Sequence, residues 1–285
     1  MGSRINIKED ILMRKMIVGA VVLSAVLVSM ASADQVKSKN AVGFVRVDVP
    51  SNALTIVAVP FNTMNDSGVY TLDDLIGTNL FASWSSTEAD EVLLWNLSET
   101  NYSSAFLNDD GWDDPNINWK WCYMEGGTPK PCAGNEEYDL LTGDAFWIRN
   151  RHESRTLYFM GEVPDAPTTT VSFVEGLKMF ANPYPVTKTL DDLISTTNSG
   201  AKASWNSAQA DEIMLWDGRE YRTAFLNDNG WADPDVDWKW CYMEGGKPKP
   251  CAANEDYNLS PGQGLWYRSR GGTFDWSAVK PYDWP

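Results

Sequence analysis

The stretch Trp119-Lys120-Trp121-Cys122-Tyr123-Met124-Glu125-Gly126-Gly127 returns unchanged as Trp238-Lys239-Trp240-Cys241-Tyr242-Met243-Glu244-Gly245-Gly246. It is the centre of a longer copy, since 27 of the 36 positions in 105–140 are identical in 224–259. Farther out the match continues with small gaps. Thr71-Leu72-Asp73-Asp74-Leu75-Ile76 corresponds to Thr189-Leu190-Asp191-Asp192-Leu193-Ile194, and Ala82-Ser83-Trp84 to Ala203-Ser204-Trp205. A unit of roughly 120 residues is domain-sized and too long for one turn of a solenoid. The chain therefore divides into an upstream segment with a leader over 1–33, a first repeat over 34–164, a linker over 165–170 and a second repeat over 171–285. Two prolines and three threonines at 163–170 suit a stiff, extended connection.

Within a unit the period is mostly two. Val45, Val47 and Val49 alternate with Arg46 and Asp48, residues 54–61 are apolar on both faces, and 92–95, 146–148 and 157–160 are short apolar runs between turn residues. Helix is scarce: Thr71 and Thr189 can each cap one turn, with aspartates at its positive end. The expected class is all-β, as two tandem homologous antiparallel β-sandwich or small-barrel domains, each with a short helical turn. The alternative is that both units close into one pseudo-symmetric sheet assembly.

The 285 residues carry 39 acids against 23 bases, a net charge of -16. No basic footprint exists for nucleic acid. The single histidine, His152, removes most nucleophile–base pairs and zinc sites. Met13-Arg14-Lys15, the apolar run 17–28 and Ala31-Ser32-Ala33 have the three parts of a secretory signal, placing the protein outside the cell or on its surface after cleavage near Ala33. The run falls short of the roughly 20 residues a membrane span needs, so no stable transmembrane anchor is expected.

All four cysteines lie in the copied segment. In an oxidising compartment the expectation is two local disulfides, Cys122–Cys132 and Cys241–Cys251, each closing a ring worth about 2.5–3 kcal/mol. A four-thiolate zinc site fits poorly, because nine residues separate the members of each pair.

Strand spacing would put Trp119, Trp121 and Tyr123 on one face, as it would Trp238, Trp240 and Tyr242. Such a stripe is either core or an exposed platform for a sugar or an assembly partner. Upstream, Asp109, Asp110, Asp113 and Asp114, with Asp228 and Asp233 in the second copy, supply hard oxygen donors around a glycine turn. Calcium is the cofactor they would take, although Phe106 and Phe225 break the EF-hand register and such turns also form for local reasons.

No nucleophile motif or phosphate loop is present. The remaining catalytic route, a carboxylate pair as in glycoside hydrolases, has only the acids beside strand 92–95 and their counterparts, Asp90, Glu91, Asp211 and Glu212, for which solvated strand-edge charge is the simpler account. The leading reading is a non-catalytic exported protein serving structure, adhesion or assembly, with self-association or a surface glycan as partner. A carbohydrate-binding module using the aromatic stripes is the alternative, followed by a glycosidase.

Three segments carry a resemblance: Gly43-Phe44-Val45-Arg46-Val47-Asp48-Val49-Pro50, the run 54–61, and Leu157-Tyr158-Phe159-Met160-Gly161-Glu162-Val163-Pro164. With them the chain resembles uncharacterised exported β-repeat proteins of environmental bacteria, whose signature is a Pro-Gly-x-Gly turn into an aromatic pair and a strand ending Gly-Glu-Val. Repeat two keeps Pro261-Gly262-Gln263-Gly264-Leu265-Trp266 but lacks the Gly-Glu-Val ending. Repeat one has Leu141-Thr142-Gly143-Asp144-Ala145-Phe146-Trp147, without the proline and second glycine. The resemblance implies an exported β-rich module and assigns no activity.

Overall fold

Alternation in Val45-Arg46-Val47-Asp48-Val49 gives a strand with one dry face: Val47 and Val49 are buried, while Arg46 and Asp48 stay in water and pair at 2.8 Å. The computed structural model describes residues 41–65, 67–111, 114–194, 200–231 and 233–283. Repeat one contains β1 (Val42–Val49), β2 (Ala53–Ala58), α1 (Leu72–Leu75), β3 (Glu91–Asn96), β4 (Asn101–Asn108), β5 (Lys120–Glu125), β6 (Thr128–Pro131), β7 (Ala145–Asn150) and β8 (Arg155–Glu162). Repeat two follows with β9 (Thr168–Phe173), β10 (Gly176–Phe180), α2 (Leu190–Leu193), β11 (Glu212–Trp216), β12 (Tyr221–Asn227), β13 (Lys239–Glu244), β14 (Lys247–Pro250), β15 (Leu265–Ser269) and β16 (Phe274–Val279).

Each repeat is one six-stranded antiparallel sheet covered by a two-stranded ribbon. The sheet orders are β2-β7-β3-β4-β5-β6 and β10-β15-β11-β12-β13-β14, and the ribbons are β1-β8 and β9-β16. Pairing the first strand of a repeat with its last closes each unit on itself, as an all-β tandem architecture requires. Residues 168–170, expected in the linker, belong to β9, because their threonines pair with 277–279 of β16. Residues 163–167 connect the ribbons. The capped turns are as expected: Thr71 Oγ1 and Thr189 Oγ1 accept the Asp74 and Asp192 backbone N–H at 3.1 Å.

Between ribbon and sheet lies an apolar core in each repeat, built on Phe159, Phe146 and Trp121 in the first and on Phe173, Tyr267 and Trp240 in the second. A third cluster draws on both repeats. It joins Ile56, Leu93 and Trp147 to Met179 and Trp266, from the sheet faces turned away from the ribbons. From Ala41 onward the chain is therefore one compact unit with two cores and a shared apolar seam. Among the described residues no helix is long and apolar enough to cross a membrane.

Candidate binding site

The expected aromatic stripe is split by the backbone. Trp119 sits at φ 56° and Trp238 at φ 56°, in the left-handed region, so the strand alternation begins only at Lys120 and Lys239. Trp121 and Trp240 are fully buried, and their ring N–H groups donate to the carbonyls of Gly77 at 3.0 Å and Ile194 at 3.3 Å. Tyr123 and Tyr242 are half-buried and stack on Tyr138 and Tyr257, at 5.3 and 5.0 Å. Trp119 and Trp238 remain 48% and 43% exposed. The stripe is thus neither wholly core nor wholly platform: four of its members pack inward and two turn out.

Those two share a sheet end with another exposed pair. Trp119 N–H donates to Asn108 O at 2.8 Å, while Ser83 N–H, next to Trp84, donates to Leu107 O at 3.1 Å. The second repeat repeats this through Trp238 on Asn227 at 2.7 Å and Ser204 on Leu226 at 3.0 Å. Trp84 and Trp205 are each 74% exposed. Two outward tryptophans therefore leave adjacent backbone anchors at one end of each sheet.

The acidic loops beside them spend their oxygens locally. Asp109 accepts from Gly111 N–H at 3.1 Å, Asp114 from Asn116 N–H at 2.9 Å, Asp228 from Gly230 N–H at 3.0 Å and Asp233 from Asp235 N–H at 3.0 Å. Asp110 lies close enough to help raise the Cys122 thiol, and Asp113 is outside the described residues. Among the described residues no three His, Cys, Asp or Glu side chains converge as metal ligands would.

The structure holds no disulfide at Cys122–Cys132 or Cys241–Cys251, where two were expected. Cys122 lies opposite Pro131, and Cys241 opposite Pro250, in their hairpins. Cys132 therefore falls opposite Trp121, to whose carbonyl its N–H donates at 2.8 Å. Side chains on paired strands that are one position out of register point to opposite faces of the sheet. Cys132 and Cys251 point into the two cores with Trp121 and Trp240, whereas Cys122 and Cys241 point to the other face, beside Phe106 and Phe225. All four are buried free thiols, and burial pushes Cys122 and Cys241 up to about 12 and holds Cys132 and Cys251 above the ordinary range as well.

Asp90 and Asp211 are also not the solvated edge charges expected. Both are fully buried; Asp90 accepts from Phe81 and Arg151 N–H at 2.9 and 2.7 Å, and Asp211 from Lys202 and Arg270 N–H at 2.9 and 2.6 Å. Glu91 pairs with Arg149 and Arg151, and Glu212 with Arg268 and Arg270, at 2.7–3.1 Å. These carboxylates clip loops to strand ends.

A further gathering of aromatic side chains lies at the seam between the repeats. Trp95 Nε1–H donates to Leu177 O at 2.9 Å, and Trp216 Nε1–H to Leu54 O at 2.8 Å, the same bond made in each direction. Trp95 meets Trp266 edge-on at 5.2 Å, and Trp147 meets Trp216 at 5.6 Å. Tyr102 and Tyr221 stand across from Trp95 and Trp216 on the neighbouring strands and remain 42% exposed. The signal for this site was present in the sequence: Val92 to Trp95 is apolar at every position, which marks a strand covered on both faces. No protein-family model, curated protein or solved structure matches the chain.

Proposed function

We propose that this protein is an exported, non-catalytic scaffold for adhesion or assembly, which presents one aromatic surface twice. The observation that carries this is the duplicated outward display of Trp84 with Trp119 and of Trp205 with Trp238. Exposed tryptophan in water is unfavourable, and grouped exposed aromatics mark contact surfaces. The left-handed backbone at Trp119 and Trp238 adds about 1–2 kcal/mol of strain to each copy, and strain of that kind gathers at binding sites. Two copies on one body suit avidity better than a single reaction centre. Export is supported by the leader pattern at 13–33, which lies outside the described residues.

Retention of the purified chain on bacterial envelope preparations, together with sedimentation velocity over a wide concentration range, tests the reading. Trp84→Ser with Trp205→Ser is expected to weaken retention or self-association more than tenfold, and either change alone by much less, because one intact copy still engages. A chain that stays monomeric at every concentration and washes freely off envelopes overturns it.

A further inference from the structure

The seam between the repeats holds a cleft separate from the exposed tryptophan loops. Its halves are a 420 Å³ pocket walled by Trp147, Trp216 and Leu54 and a 220 Å³ pocket walled by Trp266, Trp95 and Leu177. Tyr102 and Tyr221 line both halves, so the two adjoin. Together they reach the size of pockets that hold small organic ligands.

Three features define what would fit. Its accessible rings are Tyr102 and Tyr221 with the half-buried Trp95 and Trp216, set over buried Trp147 and Trp266, aromatic surface of the kind that packs against the C–H face of a pyranose ring while leaving its hydroxyl rim free. At the rim, Tyr102 accepts the Trp147 Nε1–H at 3.2 Å, which fixes its phenol with the proton left to donate, and Tyr221 lines the cleft beside Trp266 in the equivalent place. Each half also contains one arginine, Arg149 or Arg268, ion-paired with Glu91 or Glu212 at 2.7 and 2.8 Å, a glutamate that a second arginine, Arg151 or Arg270, shares at 3.1 Å. Both cleft arginines are thus already held by a carboxylate, and the molecule as a whole, at a net charge of -16, repels anions.

We infer that this cleft binds an uncharged oligosaccharide, one ring in each half, with Tyr102 and Tyr221 bonding hydroxyls where the two rings join. The inference stands on the seam geometry and not on the exposed loops, so the two readings fail separately.

Isothermal titration of the full chain with cellotetraose, mannotetraose, chitotetraose and maltotetraose tests it, with a heparin tetrasaccharide as the anionic comparator. At least one neutral tetrasaccharide should bind, one per chain, and quench tryptophan fluorescence. Tyr102→Phe with Tyr221→Phe keeps the rings but removes the hydroxyls; losing the acceptor of the buried Trp147 ring N–H should lower the melting temperature by a few degrees, and the variant, titrated well below that temperature, should bind about tenfold more weakly. Trp84→Ser with Trp205→Ser should leave this affinity as it was. No heat from any neutral tetrasaccharide, binding confined to heparin, or full affinity in the double Phe variant each overturns the assignment.

Discussion

Trp119 and Trp121 stand two positions apart, and substitution separates their roles. Trp121 is fully buried with its ring N–H satisfied, so Trp121→Ala opens a cavity and leaves Gly77 O without that donor. The expected loss is about 3–5 kcal/mol. Trp119→Gly removes a half-exposed ring but relieves a left-handed backbone that glycine adopts freely, so the two effects offset each other to within about 1 kcal/mol. Urea unfolding of the two variants checks this, and equal losses would contradict the placement of Trp119 outside the strand. Asp191 offers a residue-level test in pH. Its carboxylate accepts Trp240 N–H at 2.9 Å, yet burial holds it above its ordinary value of 3.8. A carboxyl raised in the folded state stabilises fully below its unfolded pKa, and that contribution is lost as pH rises through the folded one. Asn keeps the acceptor without the charge. The stability of Asp191→Asn relative to the parent should therefore improve as pH rises from the ordinary carboxylate range toward neutrality, and thermal melts giving a pH-independent difference would refute the buried charge.

At the scale of elements, the β5–β6 hairpin decides the cysteine chemistry. Gly126 and Gly127, at φ 57° and 82°, form a two-residue turn whose central positions both need φ above zero. That turn fixes Glu125 opposite Thr128 and, counting back, Cys122 opposite Pro131. A thiol reagent should thus modify none of the four cysteines until the chain unfolds, and a reductant should leave the melting temperature unchanged; reductant-sensitive melting would point to the cystines the fold excludes. This register was half legible in the sequence: Gly126-Gly127 after a strand-forming run marks a two-residue turn that counts out the pairing, while Pro129 and Pro131 admit the far side only as a short edge strand, and cysteine spacing alone was the weaker guide. The alternating strands and the Thr71 and Thr189 caps were legible for the same local reason: their determinants lie within a few residues. The left-handed turn at Trp119 was not. It depends on the loop closing back on Asn108, whose side-chain amide donates to Ile117 O at 3.1 Å, and no property of tryptophan announces it. Nor could the buried state of Asp90 be read locally, because its donors arrive from Phe81 and Arg151.

Over the whole molecule, the seam has the reciprocity of a two-fold interface made within one chain. Ala58 N–H donates to Gly262 O at 2.9 Å and Ala181 N–H to Gly143 O at 2.8 Å, each repeat's turn accepting from the other's sheet. This gives the Pro261-Gly262-Gln263-Gly264 turn a physical reason: a Cβ at Gly264 would come within 2.5 Å of Ile56 and 2.6 Å of Ala145, both in the opposite repeat. Which sheet face would meet which could not be read from the sequence, because both faces of β2, β3 and β7 are apolar and only the long-range pairing says which one the ribbon covers. The same reciprocity predicts how half the molecule behaves. Residues 41–164 close on themselves through β1 and β8, but alone they would expose Leu54, Ile56, Leu93, Trp95 and Trp147 to water. A surface complementary to its own near-copy can pair with a second copy in an isologous dimer. The isolated first repeat is therefore expected to fold and dimerise, with light scattering giving twice its chain mass. Placing a charge in the seam, as Trp147→Asp, should return it to a monomer that unfolds more easily, because the carboxylate would be buried unpaired in any dimer. A monomeric, fully stable parent repeat would show that the seam adds little, and that the two halves are held together by residues 163–167 alone.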